Sequence, residues 1–272
     1  MANNQESTAT MAVFLDLENI ARGAQDAKFP EFDIDKVLEQ LLLKGHIVVK
    51  KAYCDFGRYK EFKRALHGAA FELIEIPGRG QAGKNSADIR MVVDALDLCY
   101  TKSHLDTFAI ISGDSDFSPL VSKLRENAKT VIGVGVKNSS SDLFINNCDE
   151  FIYYDDLVRT EAQQTQQRRR RTSAKTAAPN ESNDANGSGP APDRALELVS
   201  ETVEALRTQR GDDYEIRGSL IKQTIKRRHP GFNERAYGFR AFNDILQEAE
   251  KRGLVKLDSD KQAGTYIVRP VD

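Results

Sequence analysis

From Met11 to Tyr154 the sequence predicts an α/β fold, a parallel sheet covered by helices, with a small winged-helix unit after it. Three observations carry that prediction. Short apolar, β-branched runs alternate with helix-length segments whose apolar residues recur every three or four positions. Strand and helix take turns, and a parallel connection needs a crossover long enough to hold a helix. From about Thr160 to Pro192 the apolar residues give out, and periodicity resumes only beyond that stretch.

The expected strands are Met11 to Leu15, Ile47 to Tyr53, Phe71 to Ile76, Thr107 to Ile111, Thr130 to Val136 and Glu150 to Tyr154. Expected helices lie between them at Ile34 to Leu43, Tyr59 to Ala70, Ala87 to Leu98, Pro119 to Asn127 and Ser141 to Asn147. Residues 1–10, MANNQESTAT, are expected to be a disordered start, so the first domain spans 11–157. Residues 158–192 hold a glutamine-rich segment, four arginines from Arg168 to Arg171 and a Pro, Ser, Asn and Gly tract with little to bury. That composition cannot offset the entropy of ordering and predicts a flexible linker.

In the second domain, 193–272, Leu196, Val199, Val203 and Leu206 mark one helix, and Leu220, Ile221 and Ile225 a second. Phe239, Phe242, Ile245, Leu246 and Ala249 mark a third. The alternating runs Leu254 to Leu257 and Thr265 to Val268 flank a polar loop and predict a hairpin. Three helices and a terminal hairpin suggest a winged helix.

The formal charge of −2 over 272 residues hides an asymmetry. Residues 1–157 carry 18 Lys and Arg against 24 Asp and Glu, 158–192 carry 6 against 3, and 193–272 carry 15 against 14. An acidic first domain excludes a surface that coats a polyanion by bulk charge, so an anionic substrate there needs a cation beside it. Cys54, Cys99 and Cys148 lack the paired spacing of a disulfide framework or structural zinc site and read as reduced, buried thiols. The first residues show no basic segment followed by an apolar core, and no run reaches the roughly 18 apolar residues of a spanning helix, which predicts a cytoplasmic protein with no membrane partner.

Asp16 ends the first strand in Phe14-Leu15-Asp16-Leu17-Glu18-Asn19, and Asp114 follows the fourth in Ile111-Ser112-Gly113-Asp114-Ser115-Asp116-Phe117. In open α/β sheets that edge is where ligands bind. Asp88 opens a helix that enters from the loop Gly78 to Ser86, and its first-turn position aims it at the same edge. Neighbouring carboxylates raise one another's pKa, a conflict that a divalent cation resolves. With only oxygen ligands to hand, Mg2+ or Mn2+ is favoured over zinc, and such an ion suits phosphodiester hydrolysis.

The ordered motifs LDLEN, GKNSADIRMVVDAL and ISGDSDFSPLV resemble the NYN domains of the PIN-like nuclease superfamily, in their LabA-like branch. The resemblance covers residues 11 to about 157. It implies a Rossmann-like, metal-dependent nuclease fold with Asp16, Asp88, Asp114 and Asp116 as metal ligands and catalytic groups, and Asn19 and Ser112 as supporting residues. Glu18 and Asp94 stay open beside the set, since adjacent residues on a strand end or a helix exit point in different directions and Asp94 lies almost two turns beyond Asp88. Ser219-Leu220-Ile221, His229-Pro230-Gly231-Phe232, Tyr237-Gly238-Phe239, Phe242 and Gly264-Thr265-Tyr266-Ile267-Val268 resemble an OST-HTH, or LOTUS, domain over about 193–270. That resemblance implies binding of RNA, single-stranded or structured, and docking of a helicase or other protein.

Alternatives stay open beside each motif. An Asp after a strand is often a turn former, and Ser115-Asp116 before Phe117-Ser118-Pro119 suits a helix cap. Arg79 and Lys84 lie in a Gly-rich loop that can meet phosphate or simply be solvated; it lacks the spacing of a P-loop. Lys222, Lys226, Arg227 and Arg228, with Arg235 and Arg240, form either a nucleic-acid face or a solvated one. Phe232, Tyr237, Phe239 and Phe242 fit a core better than a base-stacking platform. A haloacid-dehalogenase-like phosphatase also uses a first-strand Asp, but it needs an Asp and usually a Thr where Glu18 and Ile20 stand. A non-catalytic RNA adaptor with a retained acidic pocket is the other alternative to a ribonuclease.

Overall fold

A computed structural model of the chain describes residues 9–76, 86–159, 192–210, 214–260 and 265–270. The chain divides into two compact units, Met1–Thr172 and Ser173–Asp272.

The first unit runs β1 (Ala9–Asp16), α1 (Leu17–Asp26), α2 (Ile34–Leu42), β2 (Gly45–Cys54), α3 (Lys63–Gly68), β3 (Glu72–Glu75), α4 (Ser86–Thr101), β4 (Thr107–Ile111), α5 (Ser118–Glu126), β5 (Thr130–Gly135), α6 (Asp142–Asn147), β6 (Glu150–Tyr153) and α7 (residues 154–159). Its six strands form one sheet in the order β3-β2-β1-β4-β5-β6, and every pairing is parallel. Chain order runs outward to one edge from β1, then jumps back to β4 and runs to the other edge. Beyond the carboxyl ends of β1 and β4 the connections leave in opposite directions and open a crevice.

Alternation along β1 decides the layers. Met11, Val13 and Leu15 face a core with Ile20, Val37, Leu41 and Leu66 from α1, α2 and α3, whereas Ala12 and Phe14 face one with Met91, Ala95, Val121 and Phe144 from α4, α5 and α6. A strand buried on both faces needs an unbroken apolar run, which is what Met-Ala-Val-Phe-Leu supplies.

Several expectations shift. Ala9 and Thr10, placed in a disordered start, already pair with Gly45 and His46 in the sheet. The helix expected from Tyr59 to Ala70 is a 3-10 turn, Lys60–Phe62, followed by the short α3. The strands expected to end at Val136 and Tyr154 stop at Gly135 and Tyr153. Helix α1, absent from the sequence reading, follows Asp16 without a gap.

The second unit runs α8 (Pro192–Arg210), β7 (Ile216–Arg217), α9 (Gly218–Arg228), α10 (Phe242–Lys251), β8 (Val255–Asp260) and β9 (Thr265–Pro270), with an antiparallel sheet ordered β7-β9-β8. The two-residue β7 escaped the sequence reading, and Phe239 lies outside α10, beyond a 3-10 turn at Glu234–Tyr237. Phe232 and Phe242 are buried with Val199, Ile221 and Ile245; Phe232 stacks on Tyr237 at 5.3 Å between centroids and meets Phe242 edge-on at 6.3 Å. These aromatics build core.

Candidate active site

The site begins where β1 stops. Asp16 pairs laterally with Tyr53 on β2, and its neighbour Leu15 pairs with Ile111 at the end of β4, so Asp16 and Ser112 meet at the switch point. The Asp16 side chain caps α1: its Oδ1 accepts from the Asn19 backbone N–H at 3.2 Å, while its Oδ2 accepts from the Ser112 hydroxyl at 2.9 Å. Ser112 Oγ in turn accepts from the Asp114 N–H at 3.2 Å, and Asp114 Oδ1 accepts from the Asp116 N–H at 3.0 Å. A continuous line of hydrogen bonds thus links three acids. Asn19 fastens the two sides together, its Oδ1 accepting from the Gly113 N–H at 2.8 Å.

Gly113 is glycine because of a close approach. A Cβ there would stand 2.3 Å from the Ser139 carbonyl oxygen, and the Gly113 carbonyl accepts from Ser141 N–H at 2.9 Å. The loop after β5 therefore buttresses the turn that carries Asp114.

Burial pushes the Asp16 carboxyl from 3.8 up to about 7; the Asn19 amide pulls it down, the Asp88 charge raises it, the Ser112 hydroxyl lowers it and the Asp114 charge raises it again. Asp88, in the first turn of α4, is raised to about 6, first by burial and then by the charges of Asp114, Asp116 and Glu18. Five carboxyl groups therefore feel one another at this edge.

An NYN domain family model matches residues 10–155. The chain belongs to the NYN domain family. NYN domains belong to the PIN-like nuclease superfamily, and the six-stranded parallel sheet is consistent with that assignment. An uncharacterized protein of Methanocaldococcus jannaschii is 27% identical over 151 residues, 56% of this chain and 58% of that protein, so the match spans little more than half of the curated relative. A crystal structure of a protein of unknown function from Vibrio parahaemolyticus has a TM-score of 0.50 and 25% identity, over 58% of this chain and 98% of that one. Both similarities stop short of the whole length of this chain.

Within the NYN domain the structure brings Asp16, Asp114, Asp116, Asn19 and Ser112 into one hydrogen-bonded set, and the charge of Asp88 acts on Asp16. Glu18 joins them. Leu17 already starts a helix, and from its first turn the charge of Glu18 raises Asp88. Its position two residues past a strand-end Asp was the available signal. Asp94 is a tether, accepting from Tyr53 Oη and from Arg90 Nε, each at 2.9 Å, with Lys51 Nζ at 3.7 Å. Lys84 and Arg79 lie outside the described residues.

The basic face expected on α9 is narrower than the sequence suggested. Lys222 is held by Glu234 at 2.8 Å and Lys226 is half-buried, whereas Arg227 and Arg228 are exposed in the last turn.

Among the described residues no three His, Cys, Asp or Glu side chains close on a common point as a preformed metal cage would. The donor set still fits a hard cation. Mg2+ keeps several waters and takes one or two carboxylates plus substrate phosphate, and the donors at this edge are carboxylate, hydroxyl and amide oxygens. No described helix is long and apolar enough to cross a membrane.

Proposed function

We propose that this protein is a divalent-metal-dependent endoribonuclease of the LabA-like branch, with its cleavage site at the carboxylate crevice and its second unit capturing RNA in the cytoplasm. The observation that carries the reading is the hydrogen-bonded line Asp16–Ser112–Asp114–Asp116 at the sheet's switch point, with the charge of Asp88 acting on Asp16. Burial, with the neighbouring charges adding to it, disfavours the ionised forms of Asp16 and Asp88, a cation beside them offsets that cost, and phosphodiester hydrolysis is a chemistry that uses such an arrangement.

Asp16, Asp88, Asp114 and Asp116 would hold Mg2+ or Mn2+, which when bound supplies a polarised water and neutralises charge on the scissile phosphate. Ser112 and Asn19 keep the carboxylates in place, Ser112 tying the turn after β4 to the end of β1 and Asn19 tying it to α1. The order α8-β7-α9-α10-β8-β9 suits a winged helix of the OST-HTH or LOTUS kind, and the exposed Arg227 and Arg228 are its candidate phosphate contacts. A helicase or another protein docking there is compatible with the same unit.

The test is incubation of purified protein with labelled single-stranded RNA, structured RNA and DNA in Mn2+, Mg2+ or EDTA. Cleavage is expected with metal, lost in EDTA, and lowered about a hundred-fold or more by Asp114→Asn. Metal-dependent cleavage that survives Asp114→Asn sinks the site. A second reading, a non-catalytic RNA adaptor, draws on the fact that Asp16 and Asp114 also serve as caps. Binding without cleavage under every condition would favour it.

A further inference from the structure

We propose that the segment from Arg58 to Arg64 is the track along which the phosphate backbone of a single-stranded RNA reaches the carboxylates, with Arg58, Lys60 and Arg64 as the contact residues. The inference rests on the nuclease reading and adds to it which surface of the first unit holds the polyanion.

Position is the first argument. Tyr53, one residue before the end of β2, pairs with Asp16, so the chain beyond Cys54 leaves the sheet at the crevice edge, one strand away from the site. The charges of Glu18 and Asp16 act on the Cys54 thiol, and those of Glu18, Arg22 and Arg58 act on the half-buried Tyr59 phenol. The segment and the acid cluster are therefore electrostatic neighbours.

Rigidity is the second. Phe56, Phe62 and Leu66 are buried in the core beneath. Asp55 closes the turn, its Oδ1 accepting from Gly57 N–H at 3.0 Å and its carbonyl from Arg58 N–H at 3.0 Å. Cations on a fixed backbone lose less entropy when they bind a strand.

Free charge is the third. Lys36, Lys44, Lys51, Arg90, Lys123 and Arg125 are each in an ion pair. Arg58, Lys60 and Arg64 are exposed and have no ion pair among the described residues, and Lys63 beside them meets only Glu75, at 3.9 Å, and the Phe56 ring. Glu61 is the one acid among these residues. In an otherwise acidic unit, three unneutralised cations within seven residues at the crevice edge are a phosphate-binding arrangement.

The experiment uses the full chain carrying Asp114→Asn, in EDTA, so that a fluorescein-labelled single-stranded RNA of mixed sequence is bound but not cut. Its affinity is followed by anisotropy across a salt series, with and without Arg58→Gln/Lys60→Gln/Arg64→Gln. A Lys28→Gln/Lys102→Gln/Lys129→Gln chain loses the same charge away from this edge, from lysines that likewise have no ion pair among the described residues. Each phosphate contact contributes about 0.7 to the log–log salt slope, so the first triple change should lower the slope by about 2, or about a hundred-fold in affinity at 0.1 M salt. The control triple should leave the slope nearly intact. Equal effects from both triples, with the intact chain cleaving RNA in Mn2+, would overturn the track and leave the nuclease reading standing. An intact chain that neither binds nor cuts RNA overturns both.

Discussion

Replacing Asp16 by Asn should stabilise the metal-free protein at neutral pH, and the gain should fade on acidification. The folded-state pKa of Asp16 is about 7 against an ordinary 3.8, with burial as the main cause. Below the ordinary value the group is protonated whether the chain is folded or not, and it contributes nothing to pH dependence. Between 3.8 and about 7 only the unfolded chain releases the proton, so stability falls as pH rises. Above about 7 the loss is complete. A gap of about three pH units at about 1.4 kcal/mol each makes it about 4 kcal/mol.

Asparagine removes the charge and keeps most of the geometry. Its Oδ1 can still accept from the Asn19 N–H, but its amide group faces Ser112 Oγ, which already receives the Asp114 N–H, and the Ser112 proton loses its acceptor. That exchange costs about 1 kcal/mol. A net gain of about 3 kcal/mol at pH 8 corresponds to a rise of roughly 6–12 °C in the melting temperature of a unit this size. Thermal and urea unfolding in EDTA, from pH 4 to pH 8.5, reads it directly. An Asp16→Asn protein no more stable than its parent at pH 8, or a difference that is the same at pH 4, refutes the account of a strained buried carboxyl.

The other predictions address the metal, the buttress, the tether and the second core. Mn2+ at a hundred times its dissociation constant should raise the stability of the parent by about 2.7 kcal/mol at pH 8, and Asp88→Asn should remove most of that gain in a thermal-shift titration. Gly113→Ala sets a methyl against the Ser139 carbonyl and should destabilise the fold by about 1–3 kcal/mol while abolishing cleavage; a fully active, equally stable variant would show that the loop after β5 does not brace the Asp114 turn. Tyr53→Phe leaves Asp94 with Arg90 and Lys51, so about 1–2 kcal/mol of stability should go, by urea unfolding, with cleavage per folded molecule unchanged. Phe232→Ala should cost about 3–5 kcal/mol in the second unit, whereas weaker RNA binding at unchanged stability would make Phe232 a base platform after all.

How much of this was legible in the sequence depended on whether the signal was local. The strand Thr107 to Ile111 is five apolar or β-branched residues between polar ones, and the structure ends it at the same positions. Asp16 and Asp114 could be placed because each adjoins such a run. Helix α1 was missed because Asp16 is both the last residue of β1 and the cap of α1, leaving no intervening polar turn to announce a change of period. The Ser112 bridge to Asp16 spans 96 residues and depends on β1 and β4 being neighbours, which no local pattern states. Strand β7 is two residues long, too short for any alternation to register.

An acidic unit that handles a polyanion faces a problem of range. At about 0.1 M salt the Debye length is about 10 Å, so the net charge of the first unit acts on an approaching strand mainly through the groups it passes. The groups at the crevice are of both signs and are kept apart by the fold: carboxylates at the ends of β1 and β4, cations on the segment after β2. Neutralising the carboxylates with a metal ion changes the local balance by two charges at once, turning a repulsive edge into one continuous with Arg58, Lys60 and Arg64. On this account the metal contributes to binding as well as to chemistry, and RNA affinity of the intact sequence should rise when Ca2+, which occupies oxygen sites, replaces EDTA. The increase should vanish in Asp88→Asn but persist, from a lower baseline, in the Arg58→Gln/Lys60→Gln/Arg64→Gln chain. A Ca2+ effect that disappears with the cations and survives Asp88→Asn would place the ion on the wrong side of this argument.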